Sequence, residues 1–150
     1  MLFGISVGLT IFKKNVVKIF SSTSSFALEE TEISYFSPKD EVLVNTNSTE
    51  EEQKKAFDAD IGFIFNCDFV IVNTAGKDLG TIFEAGFSYA NKKPIIYYFK
   101  APDGVNFNLM LAHSGAAVAK NKQQLIDILN QLKNNEFDFA KLEKYKGNIE

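Results

Sequence analysis

The stretch Asp68-Phe-Val-Ile-Val-Asn-Thr-Ala-Gly-Lys-Asp-Leu-Gly-Thr-Ile-Phe-Glu-Ala-Gly-Phe-Ser-Tyr-Ala-Asn-Lys-Lys-Pro94, followed at once by Ile95-Ile-Tyr-Tyr-Phe99, decides how this chain folds. Two runs of β-branched and aromatic residues, Phe69 to Val72 and Ile95 to Phe99, flank a segment whose apolar positions Phe83, Phe87 and Ala90 recur at helical spacing. The pattern predicts strand, helix, strand. Asn91, the two lysines and Pro94 end the helix. The connection is long enough for a parallel crossover, so the two strands should lie side by side under the helix.

In open α/β sheets, ligands lie outside the carboxyl ends of the strands, and the loop Asn73 to Gly80 falls at that edge. Asp78 sits in this loop. Glu84 is expected in the first turn or so of the helix, where orphan amides and the macrodipole favour an ionised carboxylate. That makes Glu84 a candidate nucleophile. Spacing alone fits equally well a Glu84 that only offsets the helix dipole and an Asp78 that only caps the helix.

Lys77-Asp-Leu-Gly-Thr-Ile-Phe-Glu-Ala-Gly-Phe-Ser-Tyr-Ala-Asn-Lys-Lys-Pro-Ile-Ile96 resembles the signature of the nucleoside 2-deoxyribosyltransferase family, in which an Asp precedes Gly-Thr and a Glu-x-Gly on a helix leading to Lys-Pro and a strand. By that resemblance Glu84 is the nucleophile, Asp78 the loop aspartate, and Gly80 a substrate-binding position. Asp60-Ile-Gly62 followed by Asp68 resembles the family's Asp-x-x-Gly-Ile-x-x-x-Asp segment, which makes Asp60 a second carboxylate on the base side. Asn108-Leu-Met-Leu-Ala112 resembles the Asn-Leu-Met segment that completes a neighbouring subunit's site, which implies substrate contacts from Asn108 and Met110 and a homo-oligomer with shared active sites. These blocks span Phe57 to Leu132, and the first fifty residues match poorly. The family's early Tyr, which contacts the nucleophile, has no evident counterpart; Leu2 or Phe20 stands nearest its place.

Outward from this centre, the 150 residues suit one domain with one substantial core: 45% are apolar and 13% aromatic. The expected architecture is a single-domain α/β fold, a flavodoxin- or Rossmann-like sheet, mostly parallel, of about five strands with helices on both faces. Net charge is −3 and all sixteen basic residues are Lys. Without guanidinium forks or a basic stripe, nucleic acid is not an expected partner. Cys67 is the single cysteine, which excludes an internal disulfide and a cysteine zinc cluster, and it is expected in the core at the start of a strand. His113 is the single imidazole and reads as a surface or turn residue. No metal or cofactor site is expected.

Met1 to Phe12 is apolar and short, without a basic stretch before it or a small-residue cleavage pattern after it; it reads as a buried first strand at Leu2 to Val7. A cytoplasmic protein without membrane contact is the expectation. Lys13 to Phe20 reads as a helix, although another register makes Val16 to Phe20 the first strand. Ile33 to Phe36 reads as the second strand, ended by the turn Ser37-Pro-Lys-Asp40. Ser48-Thr-Glu-Glu51 offers a capping box, and the helix after it has the apolar face Phe57, Ile61, Ile64. Asp60 lies beside that face and precedes Asp68 by about 12 Å of helix rise, which carries it back toward the carboxyl edge; a solvated flank residue is the alternative.

Beyond Phe99, Ala116 to Ala119 reads as a short strand, and Leu125, Ile128, Leu129 and Leu132 mark an amphipathic helix ended by Asn134-Asn135. Asn108 and Met110 also fit a helix cap and a core residue. In the tail, Phe137-Asp-Phe139 resembles the start of the aromatic tail that reaches a neighbouring site in some family members, and Tyr145 is then a candidate substrate contact. A frayed terminus is the other reading. The family resemblance implies transfer of 2-deoxyribose between nucleobases, with 2'-deoxynucleosides and free nucleobases as partners. Hydrolysis of 2'-deoxynucleoside 5'-phosphates and catalytically silent nucleoside binding on the same fold are the alternatives. With no Arg and no P-loop, Ser114-Gly115 and Ser21 to Ser25 are the candidates for holding a phosphate.

Overall fold

Phe69 to Val72 and Ile95 to Tyr98 show no polar alternation, the mark of strands covered on both faces. In the computed structural model, which describes residues 16–19, 25–36, 44–74, 78–102 and 104–150, these runs are β3 (Phe69–Asn73) and β4 (Ile95–Tyr98), buried at every position but Asn73. The described elements run β1 (Val16–Ile19), α1 (Ser25–Glu30), β2 (Tyr35–Phe36), α2 (Glu50–Asn66), β3, α3 (Leu79–Ala90), β4, α4 (Leu109–Ser114), β5 (Ala117–Ala119), α5 (Lys122–Asn134) and a 3₁₀ turn at Phe139–Lys141. Every strand pairing is parallel, in the order β2-β1-β3-β4-β5. β1, β3 and β4 carry the sheet, and β2 and β5 are edges of two and three residues.

At the amino terminus the structure takes the strand register of the two readings. Lys13 to Phe20 is not helical where it is described: Val16–Ile19 is β1, paired to both β2 and β3. Three of its four residues are β-branched, and a place between two strands rewards that shape more than a helix does. The proposed strand at Leu2 to Val7 and the turn Ser37 to Asp40 lie outside the described residues. Strand β2 is only Tyr35–Phe36; Ile33 turns into the core under α1, its amide donating to Leu28 O at 3.0 Å.

Alternation along β3 and β4 divides the interior in two. Phe69, Ile71, Ile96 and Tyr98 meet Ala27 and Leu28 of α1 and Leu125, Leu129 and Leu132 of α5. Val70, Val72, Ile95 and Tyr97 meet Ile64 of α2, Ala85 of α3 and Ala112 of α4 on the other face. Two lysines join elements by capping helix ends: Lys93 Nζ donates to Phe65 O and Cys67 O at 2.7 and 2.8 Å, and Lys133 Nζ to Thr31 O at 3.0 Å. Cys67 is buried just before β3, as expected, with Sγ donating to Ile64 O.

The tail is held. Phe137 and Phe139 pack on Phe69, and Ile149 bridges Phe107 in parallel, with Glu150 N donating to Phe107 O at 3.1 Å. Among the described residues, no helix is long and apolar enough to cross a membrane.

Candidate active site

The strand order reverses at β1, so the crevice between the carboxyl ends of β1 and β3 is the topological switch point. Asn73 and Thr74 end β3 there, and Asp78 and α3 follow. Asp78 is the N-cap of α3: its Oδ2 accepts from Thr81 N at 2.9 Å and from Thr81 Oγ1 at 3.0 Å. The role of Thr81 was not anticipated, although Asp-x-x-Thr ahead of a helix is the spacing at which a cap meets N3. Gly80 sits under this cap, where an added Cβ would stand 3.2 Å from Asp78 Oδ2.

Glu84 is not in the first turn. It is the sixth residue of α3, beyond the orphan amides, and the first turn contains no acidic residue. Half-buried beside α2, its carboxylate has no hydrogen-bond partner among the described residues. Burial, then the negative charge of Asp60, then that of Asp78, pushes Glu84 from the ordinary 4.5 up to about 7. The helix-terminus stabilisation expected for it therefore goes to Asp78, and Glu84 is held in a site hostile to its charge.

Asp60 comes from α2, whose N-cap is Thr49 rather than Ser48. Glu52 Oε2 accepts from Thr49 N at 2.7 Å, and Thr49 Oγ1 accepts from Glu52 N, so the capping box is one residue later than expected. Asp60 is partly buried, which raises its carboxyl above the usual aspartate range. Its charge reaches Glu84 because α2 and α3 lie together, Phe57 against Phe83 (6.2 Å between ring centres) and Phe65 edge-on to Phe87 (5.4 Å).

Phe57 and Phe83 are not where periodicity placed them, whereas Phe87 packs against the core. The side of α3 that faces the sheet is small, Thr81, Ala85 and Ser88, and Phe83 is 52% exposed. In α2 the buried residues are Ala56 and Ile64, while Phe57 and Phe65 are each 53% exposed. Leu79, Ile82 and Tyr89 of the same helix are exposed as well.

The other predicted positions stand apart from the carboxylates in their contacts. Asn108 is the N-cap of α4, its Oδ1 accepting from Met110 N and Leu111 N at 3.0 and 3.3 Å, and Met110 is 73% exposed rather than part of the core. Tyr145 packs edge-on to Phe107 (5.3 Å) and donates its hydroxyl to Asn148 O at 3.1 Å. His113 is exposed in the last turn of α4. Among the described residues, no group of three or more His, Cys, Asp or Glu is arranged to hold a metal ion.

Comparison with known proteins bears on the whole arrangement. The structure is similar to a 2-deoxyribosyltransferase from Bacillus psychrosaccharolyticus (TM-score 0.66, 23% identity, covering 88% of this chain and 99% of that one). It is also similar to a conserved protein from Enterococcus faecalis V583 (0.62, 16%, 79% and 98%). A third likeness is to the CMP N-glycosidase BcmB of Clostridium botulinum (0.54, 16%, 78% and 99%). At these identities the likeness is one of fold. Comparison with curated protein sequences finds no match. The family model for nucleoside 2-deoxyribosyltransferase matches residues 10–126, a span that contains β1 to β5 and all three carboxylates, and the chain belongs to that family.

Proposed function

We propose that this protein transfers 2-deoxyribose between nucleobases by double displacement, with Glu84 as the nucleophile. The observation that carries the reading is the state of Glu84: a half-buried carboxylate without a hydrogen-bond partner among the described residues, raised to about 7 beside Asp60 and Asp78. A carboxylate so placed is more basic than an ordinary one, and its negative charge is relieved when it meets an electron-poor carbon. The anomeric carbon of a deoxynucleoside becomes that carbon in an oxocarbenium-like transition state.

In the first half-reaction a Glu84 oxygen bonds to C1' as the C1'–N bond breaks, and the electron pair leaves with the base nitrogen, which takes a proton. Asp60 suits the donor, since burial favours its protonated form. Asp78 is engaged as an acceptor by Thr81 and suits holding the donor groups of the base. In the second half-reaction a nitrogen of the incoming base attacks C1', the ester to Glu84 breaks, and the proton lost by that base returns to Asp60. No redox or metal chemistry enters these steps. Water in place of the second base gives hydrolysis. With no arginine in the chain, nucleosides are the favoured substrates over their 5'-phosphates.

The active form is a homo-oligomer. The exposed aromatic surface of α2 and α3 adjoins the carboxylates, and exposed Asn108 and Met110 are available to a second copy. A fully active monomer by sedimentation would contradict this. The test of function is direct: incubation with deoxyinosine and free adenine should yield deoxyadenosine. Release of hypoxanthine without deoxyadenosine would make the protein a hydrolase, and neither product, with binding retained, a silent binder.

A further inference from the structure

Among the described residues, two buried side-chain polar atoms have no hydrogen-bond partner, Thr74 Oγ1 and Tyr98 OH. Folded proteins pair nearly all such atoms, because burying an unpaired one forfeits its bonds to water. The two residues are neighbours: Thr74 N donates to Tyr98 O at 3.1 Å, at the carboxyl ends of β3 and β4. Both exceptions thus lie at the edge where ligands of this sheet type bind. They differ in face. Tyr98 turns into the interior under α1 and α5. Thr74 continues the alternation of Val70 and Val72, which puts it on the face of α2 and α3, with Asp60 and Glu84.

We propose that Thr74 recognises the sugar, its hydroxyl pairing with a hydroxyl of the bound deoxyribose. The proposal rests on the transfer reading above. Once the base meets Asp60 and Asp78 and C1' meets Glu84, the 3'- and 5'-hydroxyls are the hydrogen-bonding groups of a 2'-deoxynucleoside to which none of these three carboxylates is assigned. Thr74 is a hydroxyl without a partner on the sheet side of the same site, only 8% exposed. Rotation about its χ1 exchanges methyl and hydroxyl at nearly constant volume, so the hydroxyl can turn to a ligand without repacking the strand end.

Thr74→Val keeps the shape and removes the hydroxyl. Its thermal midpoint should rise by about 2–4 °C as the unpaired group disappears. Its affinity for deoxyinosine, measured by calorimetry, should fall roughly 5- to 10-fold. One of two analogues, 2',3'-dideoxyinosine or 2',5'-dideoxyinosine, should bind wild type and variant equally, and that identifies the hydroxyl concerned. Tyr98→Phe, the control, should gain stability without altering any of these ratios. A Thr74→Val variant that discriminates the three ligands as wild type does would overturn the proposal. So would an equal loss on all three, which is what a packing role produces. Binding without turnover in wild type would end the transfer reading alone and leave the sugar contact to be judged by the ratios; failure of wild type to bind any of the three ends both.

Discussion

On the α1/α5 face of the sheet, Leu125, Leu129 and Leu132 are buried against Phe69, Ile71 and Tyr98. On the other face, Phe57, Phe65 and Phe83 each keep about half their surface in water, and Asp60 and Asp78 disfavour the charge of Glu84. One face is a finished core, where each leucine contributes about 1.5–3 kcal/mol by burial. The other gives up burial and charge compensation around one carboxylate. Both faces of the sheet carry a buried core, but on the α2/α3 side the outer aromatics stay half exposed and one carboxylate is left uncompensated, which is what a binding face is expected to show.

Substitutions should separate the faces. The largest effect expected is from Glu84→Gln, which should lower transfer by at least about 10⁴-fold on every donor, while its thermal midpoint at pH 8 is higher. The sign follows from linkage. Glu84 holds its proton more tightly folded (about 7) than unfolded (4.5), so wild type has the stability of the protonated form below 4.5 and loses it as pH rises through about 7. The variant's advantage should therefore be present at pH 8 and gone at pH 4, and a melting series across that range checks it. Since attack requires ionised Glu84 and departure of the base requires a protonated acid, wild-type kcat/KM should rise as Glu84 ionises at about 7 and fall again as the acid loses its proton.

Asp60→Asn should slow cleavage of deoxyinosine by about 10²- to 10⁴-fold and cost less on a 2-deoxyribosyl donor with an activated phenolic leaving group. Equal losses on both donors would remove Asp60 as the acid. Leu129→Ala, on the finished face, should destabilise by about 2–5 kcal/mol in denaturant melts and leave the activity of the folded fraction intact. Phe83→Ala, on the open face, should change the stability of the monomer by no more than about 1 kcal/mol, yet lower the assembly state in sedimentation. A loss for Phe83→Ala as large as that for Leu129→Ala would erase the comparison. The smallest effect concerns Asp78: Asn caps a helix about as well as Asp, so Asp78→Asn should keep its stability, whereas Asp78→Ala should lose about 1 kcal/mol.

The strand–helix–strand centre was legible because its signals agree: β-branched runs, helical spacing between them, and Asn91 as the C-cap. The same holds for α5, ended at Asn134 as its leucine spacing implies. Side-chain direction in α2 and α3 was not legible, since periodicity finds an apolar stripe but not what the stripe meets. Small Thr81, Ala85 and Ser88 let α3 approach the sheet closely, and that leaves Phe83 outside. The motif singled out Glu84 as a candidate, but its place on the helix differs from the expected one: a shift of one turn exchanges the helix terminus for a buried, acidic setting. At the amino terminus, Val16–Ile19 satisfied helical and strand patterns alike, and pairing with β2 and β3 decided between them.

The most direct test of Glu84 as the nucleophile is a mass measurement. Enzyme turning over deoxyinosine, quenched in acid and digested, should show one deoxyribosyl group added to the peptide that contains Glu84, lost again when excess adenine precedes the quench. Turnover with no adduct on that peptide, or with the adduct on the peptide of Asp60, would contradict the account.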